Sequence, residues 1–382
     1  MTFRSQCILC SYGVFFACTV VLAGGCTRPS TDPIPIGHIA PESGGGVLGQ
    51  HARQGIALAV DDLKKGGNLI QGRGVSVRHL DDRGSPEVAL ADAVRLITLN
   101  RVHVILADTD AAATAEVGAA AKPYGVPVVA LSNISLQAGD DAPNSLGVTM
   151  AYQGRILARF VKDGLQPKID RALVVFDDTA PRNRELVDAF RQEFKSSQVQ
   201  IDPMPYKDAS AADRIRGEIR KAGPGAVLVV GSATDFVQTL RGDTGGSSTI
   251  SWLYAGEESQ LAAMQDVPTA ARDMYFATAY TAEAGGDRNK EFVDKYRAGH
   301  NGQEPDVFAA LAYENATWLF ESMRNKPAIL PAQIREALET TERFDGLTGT
   351  ILLNKGHATQ RPMYILQLAG RQPKVVKVVS GE

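Results

Sequence analysis

Between Thr27 and Glu382 the sequence contains no cysteine; Cys7, Cys10, Cys18 and Cys26 all precede that stretch. The body therefore holds no disulfide, no thiolate metal site and no cysteine nucleophile. Charge is nearly balanced, with 40 Lys and Arg against 43 Asp and Glu. That excludes the basic excess a nucleic-acid partner requires, and there is no acidic tail. The six histidines (His38, His51, His79, His103, His300 and His357) are scattered, and none falls at a spacing such as H-E-x-x-H. No metal site is expected from them. His103 lies within an apolar run and reads as a core residue. There is no G-x-S-x-G elbow and no G-x-x-x-x-G-K-[ST] phosphate loop. An enzyme, or a protein with a resident cofactor, has no motif here to support it.

Only one long apolar run is present, Ile8 to Leu22, behind the positive Arg4. It falls short of the roughly 20 residues that span a bilayer. Residues 1–25 read as a secretory signal peptide. The ending Leu22-Ala23-Gly24-Gly25-Cys26 resembles a bacterial lipobox, with Ala23 where leucine is usual. The resemblance implies lipid on Cys26, with acyl chains holding the protein to a membrane. Residues 26–33, rich in proline and polar side chains, suit a tether.

From Ile34 onward, short apolar runs alternate with amphipathic segments. Pro35–Ile39, Val75–Leu80, Val102–Leu106 and Val126–Leu131 read as strands. Helices are expected from Leu48 to Leu63, after the Ser85-Pro86 cap, and from Ala112 to Tyr124. The pattern repeats with strands at Ala172–Phe176, Val199–Met204, Ala226–Val230, Ile250–Tyr254 and Met274–Ala279. Helices are expected at Arg184–Phe194, Ala211–Ala222, Asp235–Leu240, Arg288–Arg297, Val307–Met323 and Ala332–Thr341. The tail shows strand-like runs at 350–353, 363–368 and 374–379. Strand–helix alternation points to parallel sheets with helices on both faces. Runs such as Val227-Leu228-Val229-Val230 lack polar alternation, as strands buried on both faces do. At roughly 150 residues per domain, the eight strands before Ala255, in two groups of four, fit two lobes better than one long sheet.

In such sheets ligands bind at the carboxyl ends of the strands. That address holds Ser43 and Gly44, then Asp108-Thr109-Asp110, then Ser132-Asn133-Ile134-Ser135. In the second group it holds Asp177-Asp178, Thr234 and Glu257. Asp81-Asp82-x-Gly84-x-Pro86 reads first as a turn and helix cap. Gly44-x-Gly46-x-x-Gly49 has the order of a dinucleotide fingerprint. Asp81, however, lies 32 residues after Gly49, against the roughly 20 expected. The glycines suit close backbone approach to any small ligand.

Ile36-Gly37-His38-Ile39-Ala40-Pro41-x-Ser43-Gly44, Gly55-Ile56-x-Leu58-Ala59-Val60, Asp81-Asp82-x-Gly84-x-Pro86, Val126-Pro127, Asp177-Asp178 and Phe344-x-Gly346-x-x-Gly349 occur in this order. Together they resemble the type I periplasmic binding proteins, leucine/isoleucine/valine-binding branch. The resemblance implies two Rossmann-like, doubly wound α/β lobes joined by a three-segment hinge. Crossings are expected near Thr149–Tyr152, Ala277–Ala282 and Phe344–Gly349. The lobes would be 34–149 plus 282–345 and 150–281 plus 346–382. It implies an extracytoplasmic, lipid-anchored receptor of an ABC importer, with a permease partner and no turnover. The ligand would be a small polar solute: an amino acid, amide or urea-like molecule. A non-transport sensor or cell-envelope regulator on the same fold is the alternative. Ligand contacts would come from Ser43, Gly44, Thr109, Asp110, Ser132, Asn133, Ser135, Asp178 and Thr234, with Glu257 holding an ammonium. Asp108-Thr109-Asp110 departs from the family's small, Ser-rich stretch. The usual tyrosine after the fifth strand is missing, with Pro181-Arg182 near its place. An aspartate in the Asp108-Thr109-Asp110 stretch would repel a ligand carboxylate, so a simple amino acid fits less well.

Overall fold

The computed structural model describes residues 31–43, 48–67, 69–108, 111–131, 142–232, 250–256, 273–324, 326–369 and 372–379. Strands β1 (Ile34–Ala40), β2 (Val75–Asp81), β3 (Ile105–Ala107) and β4 (Val128–Ala130) form a parallel sheet ordered β2-β1-β3-β4. Alternation along each strand sends side chains to two apolar layers. Ile34 and Ile36 pack beneath the helices Leu48–Lys65, Val307–Arg324 and Pro331–Thr340. Ile39, Ile105 and Ala107 pack on the opposite face against the helices Pro86–Thr98 and Ala111–Ala121.

The second sheet repeats this plan. Strands β5 (Arg171–Asp177), β6 (Gln200–Tyr206), β7 (Ala226–Val230), β8 (Ser251–Ala255) and β9 (Met274–Thr278) run parallel. Leu228 and Val230 face the helices Met150–Asp163 and Pro181–Gln192, while Val227 and Val229 face the helix Ala212–Ala222. A strand buried on both faces needs apolar residues at every position, which the run of valines supplies. β6 contains Pro203 and Pro205, which lack a backbone N–H, and it lies at the sheet's edge. Strands β10 (Arg343–Asp345), β11 (Thr350–Asn354) and β12 (His357–Gln360) make a small antiparallel sheet. Strands β13 (Met363–Ala369) and β14 (Gln372–Val379) then complete the large sheet as an antiparallel hairpin beside β9.

Three differences from the sequence reading stand out. Met150–Asp163 is a helix, capped by the Thr149 hydroxyl on the Tyr152 amide at 3.1 Å; the expected crossing at Thr149–Tyr152 is its first turn. β10 and β12 were not expected at all. The third passage also comes later than the family pattern implies. Ile351, Leu353 and Ala358 pack in the first sheet's core, and Met363 and Ile365 in the second's. The chain changes sheets at Arg361-Pro362, not at Phe344–Gly349. The expected helix at Asp235–Leu240 lies outside the described residues.

The three passages meet at one buried group. Arg361 is 1% exposed. Its guanidinium donates to the Leu146 carbonyl at 2.9 Å and the Ala279 carbonyl at 3.3 Å, and pairs with Glu314 at 2.9 Å. Its own backbone amide and carbonyl bond the Tyr152 hydroxyl, at 3.2 and 2.6 Å. The second Glu314 oxygen accepts the Leu347 amide at 2.7 Å. One side chain thus touches the segment before the helix Met150–Asp163 and the segment after β9, at the point where the chain leaves one core for the other.

Close helix approach fixes other positions. A Cβ on Gly55 would collide with the Ala309 carbonyl across the helix pair Leu48–Lys65 and Val307–Arg324. Gly217, inside the helix Ala212–Ala222, faces open space. Gly55→Ala should therefore cost about 1–3 kcal/mol by overpacking, whereas Gly217→Ala should gain roughly 0.5–1 kcal/mol by restricting the unfolded chain. Urea midpoints of the two variants read both signs.

Candidate functional site

The carboxyl end of β1 is organised by Asp81, the last residue of β2. Its carboxylate accepts the Glu42 amide at 2.9 Å, the Ser43 amide at 3.2 Å and the Arg83 amide at 3.0 Å, and it also accepts the Ser43 hydroxyl. Burial alone would raise its pKa; the Ser43 hydroxyl and the three amides overcome this and hold it below the usual value. The next residue, Asp82, is fully buried and accepts the Gly84 amide at 2.9 Å. Ser85 caps the following helix on the Val88 amide at 3.3 Å. The pair is thus a turn and cap, as its spacing suggested, and it also pins the segment leading into the glycine loop.

Two residues before the end of β1, His38 stands opposite His79 of β2. Their Nδ1 atoms are 2.8 Å apart, with the rings edge to face. His38 has no exposed surface. Burial, then the His79 ring and Arg53, hold its pKa well below the ordinary imidazole value. Burial and Arg53 bring His79 down to about 4. Arg53 pairs with Glu42 at 3.0 Å. A concavity of about 420 Å³ adjoins them, lined by Glu42, Gln50, Arg53, Gln54, Ala57 and His300.

Asp108 follows β3 and is 6% exposed. Burial, with Asp306 and Asp82 adding like charge, raises its carboxyl to about 7. His51 bonds Asp306 at 2.6 Å. At neutral pH this strand end therefore carries less negative charge than its sequence suggests. On the second sheet, Asp178 accepts a two-pronged bond from Arg184 at 2.5 and 2.8 Å, which lowers its pKa. Neighbouring Asp177 accepts the Thr179 amide at 2.8 Å. The Tyr254 hydroxyl of β8 donates to the Gly231 carbonyl after β7 at 3.0 Å.

Of the expected ligand contacts, Ser43 and Asp178 are described. Ser43 is engaged with Asp81, and Asp178 with Arg184. Gly44, Thr109, Asp110, Ser132, Asn133, Ser135, Thr234 and Glu257 lie outside the described residues, as does Cys26. Gly49 is described: a Cβ there would meet the Pro41 carbonyl at 2.7 Å, so this glycine serves helix–strand packing. The sequence reading missed the His38–His79 pair and Arg361. A signal existed for the former: each histidine interrupts an apolar every-second-residue row, Ile34-x-Ile36-x-His38 and Val75-x-Val77-x-His79.

Two doubly wound lobes with polar strand ends, joined by three passages, are the type I solute-binding architecture. Residues 33–372 match the family model described as "Periplasmic binding protein", and the chain belongs to that family. No curated protein matches the sequence. Among solved structures, a leucine-binding protein LivK from Thermotoga maritima aligns at 20% identity and TM-score 0.75, covering 91% of this chain and 99% of that one. LivJ from Streptococcus pneumoniae, in complex with isoleucine, aligns at 22% identity and TM-score 0.73, covering 91% and 99%. A solute-binding protein from Rhodopseudomonas palustris, holding 3,4-dihydroxybenzoic acid, aligns at 19% and 0.72, covering 92% and 98%.

Two titrations of opposite sign overlap here. His79, depressed from 6.5 to about 4, contributes stability that is full above its unfolded pKa and is lost as pH falls towards 4. Asp108, raised from 3.8 to about 7, contributes stability that is full below its unfolded pKa and is lost as pH rises towards 7. Both act between about pH 4 and pH 7. Asp108→Asn should therefore make stability climb more steeply with pH across that window, and His79→Gln should make it fall relative to the parent. Urea midpoints across the window measure both; unchanged slopes would refute the assignments.

Proposed function

We propose that the chain is an extracytoplasmic receptor that captures a small polar solute between two lobes and presents it to an ABC permease, without turnover. The observation that carries this reading is the pair of separately cored, doubly wound sheets, which converge on a single joint at Arg361. A ligand that touches both lobes only when they are closed shifts them to that state by its differential contacts. Family membership supports the binding role. So do the solved relatives that hold isoleucine and an aromatic acid.

The lobes are proposed as 34–149 plus 282–360 and 150–281 plus 361–382. This division keeps the first two expected boundaries and moves the third from 345/346 to Arg361-Pro362, where the core packing changes. The contacts proposed from the family, including Ser132, Thr234 and Glu257, remain the residues to test. Cys26 is proposed as the lipidated residue after cleavage of 1–25, with 26–33 as the tether.

Asp108 bears on the ligand's charge. A carboxyl titrating near 7 sits beside the loop that meets the ligand in this reading. An anionic solute would bind more tightly below neutrality and a cationic one above it, while a neutral amide or urea would be insensitive. A thermal-shift screen of amino acids, amides, ureas and aromatic acids, repeated on either side of neutral pH, tests this. At a hundredfold excess over its Kd, a ligand stabilises by about 2.7 kcal/mol. The reading predicts at least one hit that also shrinks the radius of gyration in solution scattering. Stabilisation without contraction would contradict lobe closure, and a screen with no hit would contradict solute capture.

A further inference from the structure

β1 and β2 pair in parallel, with His38 opposite His79. Both side chains continue the rows Ile34–Ile36 and Val75–Val77, so both point beneath the first turns of the helix Leu48–Lys65. Two apolar rows thus end in two imidazoles at the carboxyl edge of the sheet. The turn after β1 adds a third donor, Glu42. One nitrogen or oxygen from each of the three residues lies within 4.8 Å of the others.

The hydrogen bonding leaves this group incomplete. The His38 ring is fully buried, and its Nε2 has no partner among the described residues. Glu42 gives one oxygen to Arg53. Its other oxygen is buried and likewise without a partner among the described residues. Buried polar atoms are normally satisfied, so the free Glu42 oxygen calls for an occupant or a role.

The spacing indicates the occupant. Imidazole nitrogens bind a first-row metal at about 2.0–2.1 Å, so two of them at about a right angle on one ion stand roughly 2.9 Å apart. The two Nδ1 atoms already stand 2.8 Å apart, sharing a hydrogen-bond proton that the ion would displace. Two nitrogens and one carboxylate oxygen suit Ni²⁺, Cu²⁺, Co²⁺ or Zn²⁺, whereas Ca²⁺ and Mg²⁺ prefer oxygen cages. We infer that His38, His79 and Glu42 form a binding site for a divalent transition-metal ion at the carboxyl end of β1 and β2. The ion would link two strands to the turn that Asp81 pins through Ser43, and so would brace the entry to the glycine loop. Arg53 opposes it, both as a like charge and by occupying Glu42.

Arg53 makes the proposal sharply testable, because this exposed residue can be removed with little risk to folding. The tag-free full chain, stripped with chelator, is titrated with Ni²⁺ and Zn²⁺ by calorimetry and with Co²⁺ by visible absorption. The expected result is one equivalent bound, a raised melting temperature and a ligand-field spectrum of mixed nitrogen and oxygen donors. His79→Gln and Glu42→Gln should each weaken binding by at least the roughly 10–100-fold that loss of an outer-shell partner costs. Arg53→Ala should tighten it. His51→Asn, which breaks the separate His51–Asp306 pair, should leave it unchanged. Absence of stoichiometric binding would overturn the proposal. So would binding that survives both ligand substitutions, or that is lost with His51. If His79→Gln fails to fold, the opposite responses of Glu42→Gln and Arg53→Ala decide the matter.

Discussion

An arginine with almost no exposed surface, paired to a glutamate that is equally buried, sits where the chain changes sheets. Withdrawing two charges from water costs several kcal/mol per ion, and only close, well-directed partners offset that. Arg361 has them: two backbone carbonyls, Glu314 and, through its own backbone, the Tyr152 hydroxyl. Glu314 in turn accepts the Leu347 amide. Moving the passages apart would break these bonds and leave each charge without its partner, so the passages stay together. Each lobe has its own apolar layers, and nothing comparable to this pair crosses the joint elsewhere among the described residues. A fixed pivot between two independent cores is the mechanical requirement for closure on a ligand.

The strand ends show a second constraint, the management of negative charge. Asp81 spends its carboxylate on three amides and a hydroxyl, Asp82 on the Gly84 amide, and Asp178 on Arg184. Asp108, buried and then crowded by Asp306 and Asp82, instead retains its proton up to about neutrality. Among the described residues, each of these strand-end aspartates is thus protonated towards neutrality, tied into a turn or held by an ion pair. The histidine pair shows the same economy: kept neutral by burial and by Arg53, it adds no charge to the first sheet.

The fold was largely legible in the sequence because its signals are local. Apolar runs without alternation marked β5, β7 and β8, and the Ser85-Pro86 cap marked a helix start that the structure bears out. The helix Met150–Asp163 is not among those expected from the sequence, although Tyr152, Ile156 and Phe160 recur at helical spacing after the Thr149 cap; the family resemblance places a crossing at Thr149–Tyr152, on its first turn. The short strands β10 and β12 carry too few residues for a periodicity to show. The site was much less legible. His38 and His79 become neighbours only through the register of parallel strands, and Arg361 only through the convergence of three distant passages. Neither relation has a sequence period. Of the expected ligand contacts, only Ser43 and Asp178 fall among the described residues, and each is already engaged within its own lobe.

The pivot is the claim on which the two-lobe account rests, and a double-mutant cycle on Arg361 and Glu314 tests it most directly. Arg361→Met and Glu314→Leu should each cost about 3–5 kcal/mol, because each strands a buried charge. The double variant should recover much of that loss, since no charge is left unpaired. Losses that simply add, or single losses near zero, would show that the pair does not hold the passages together.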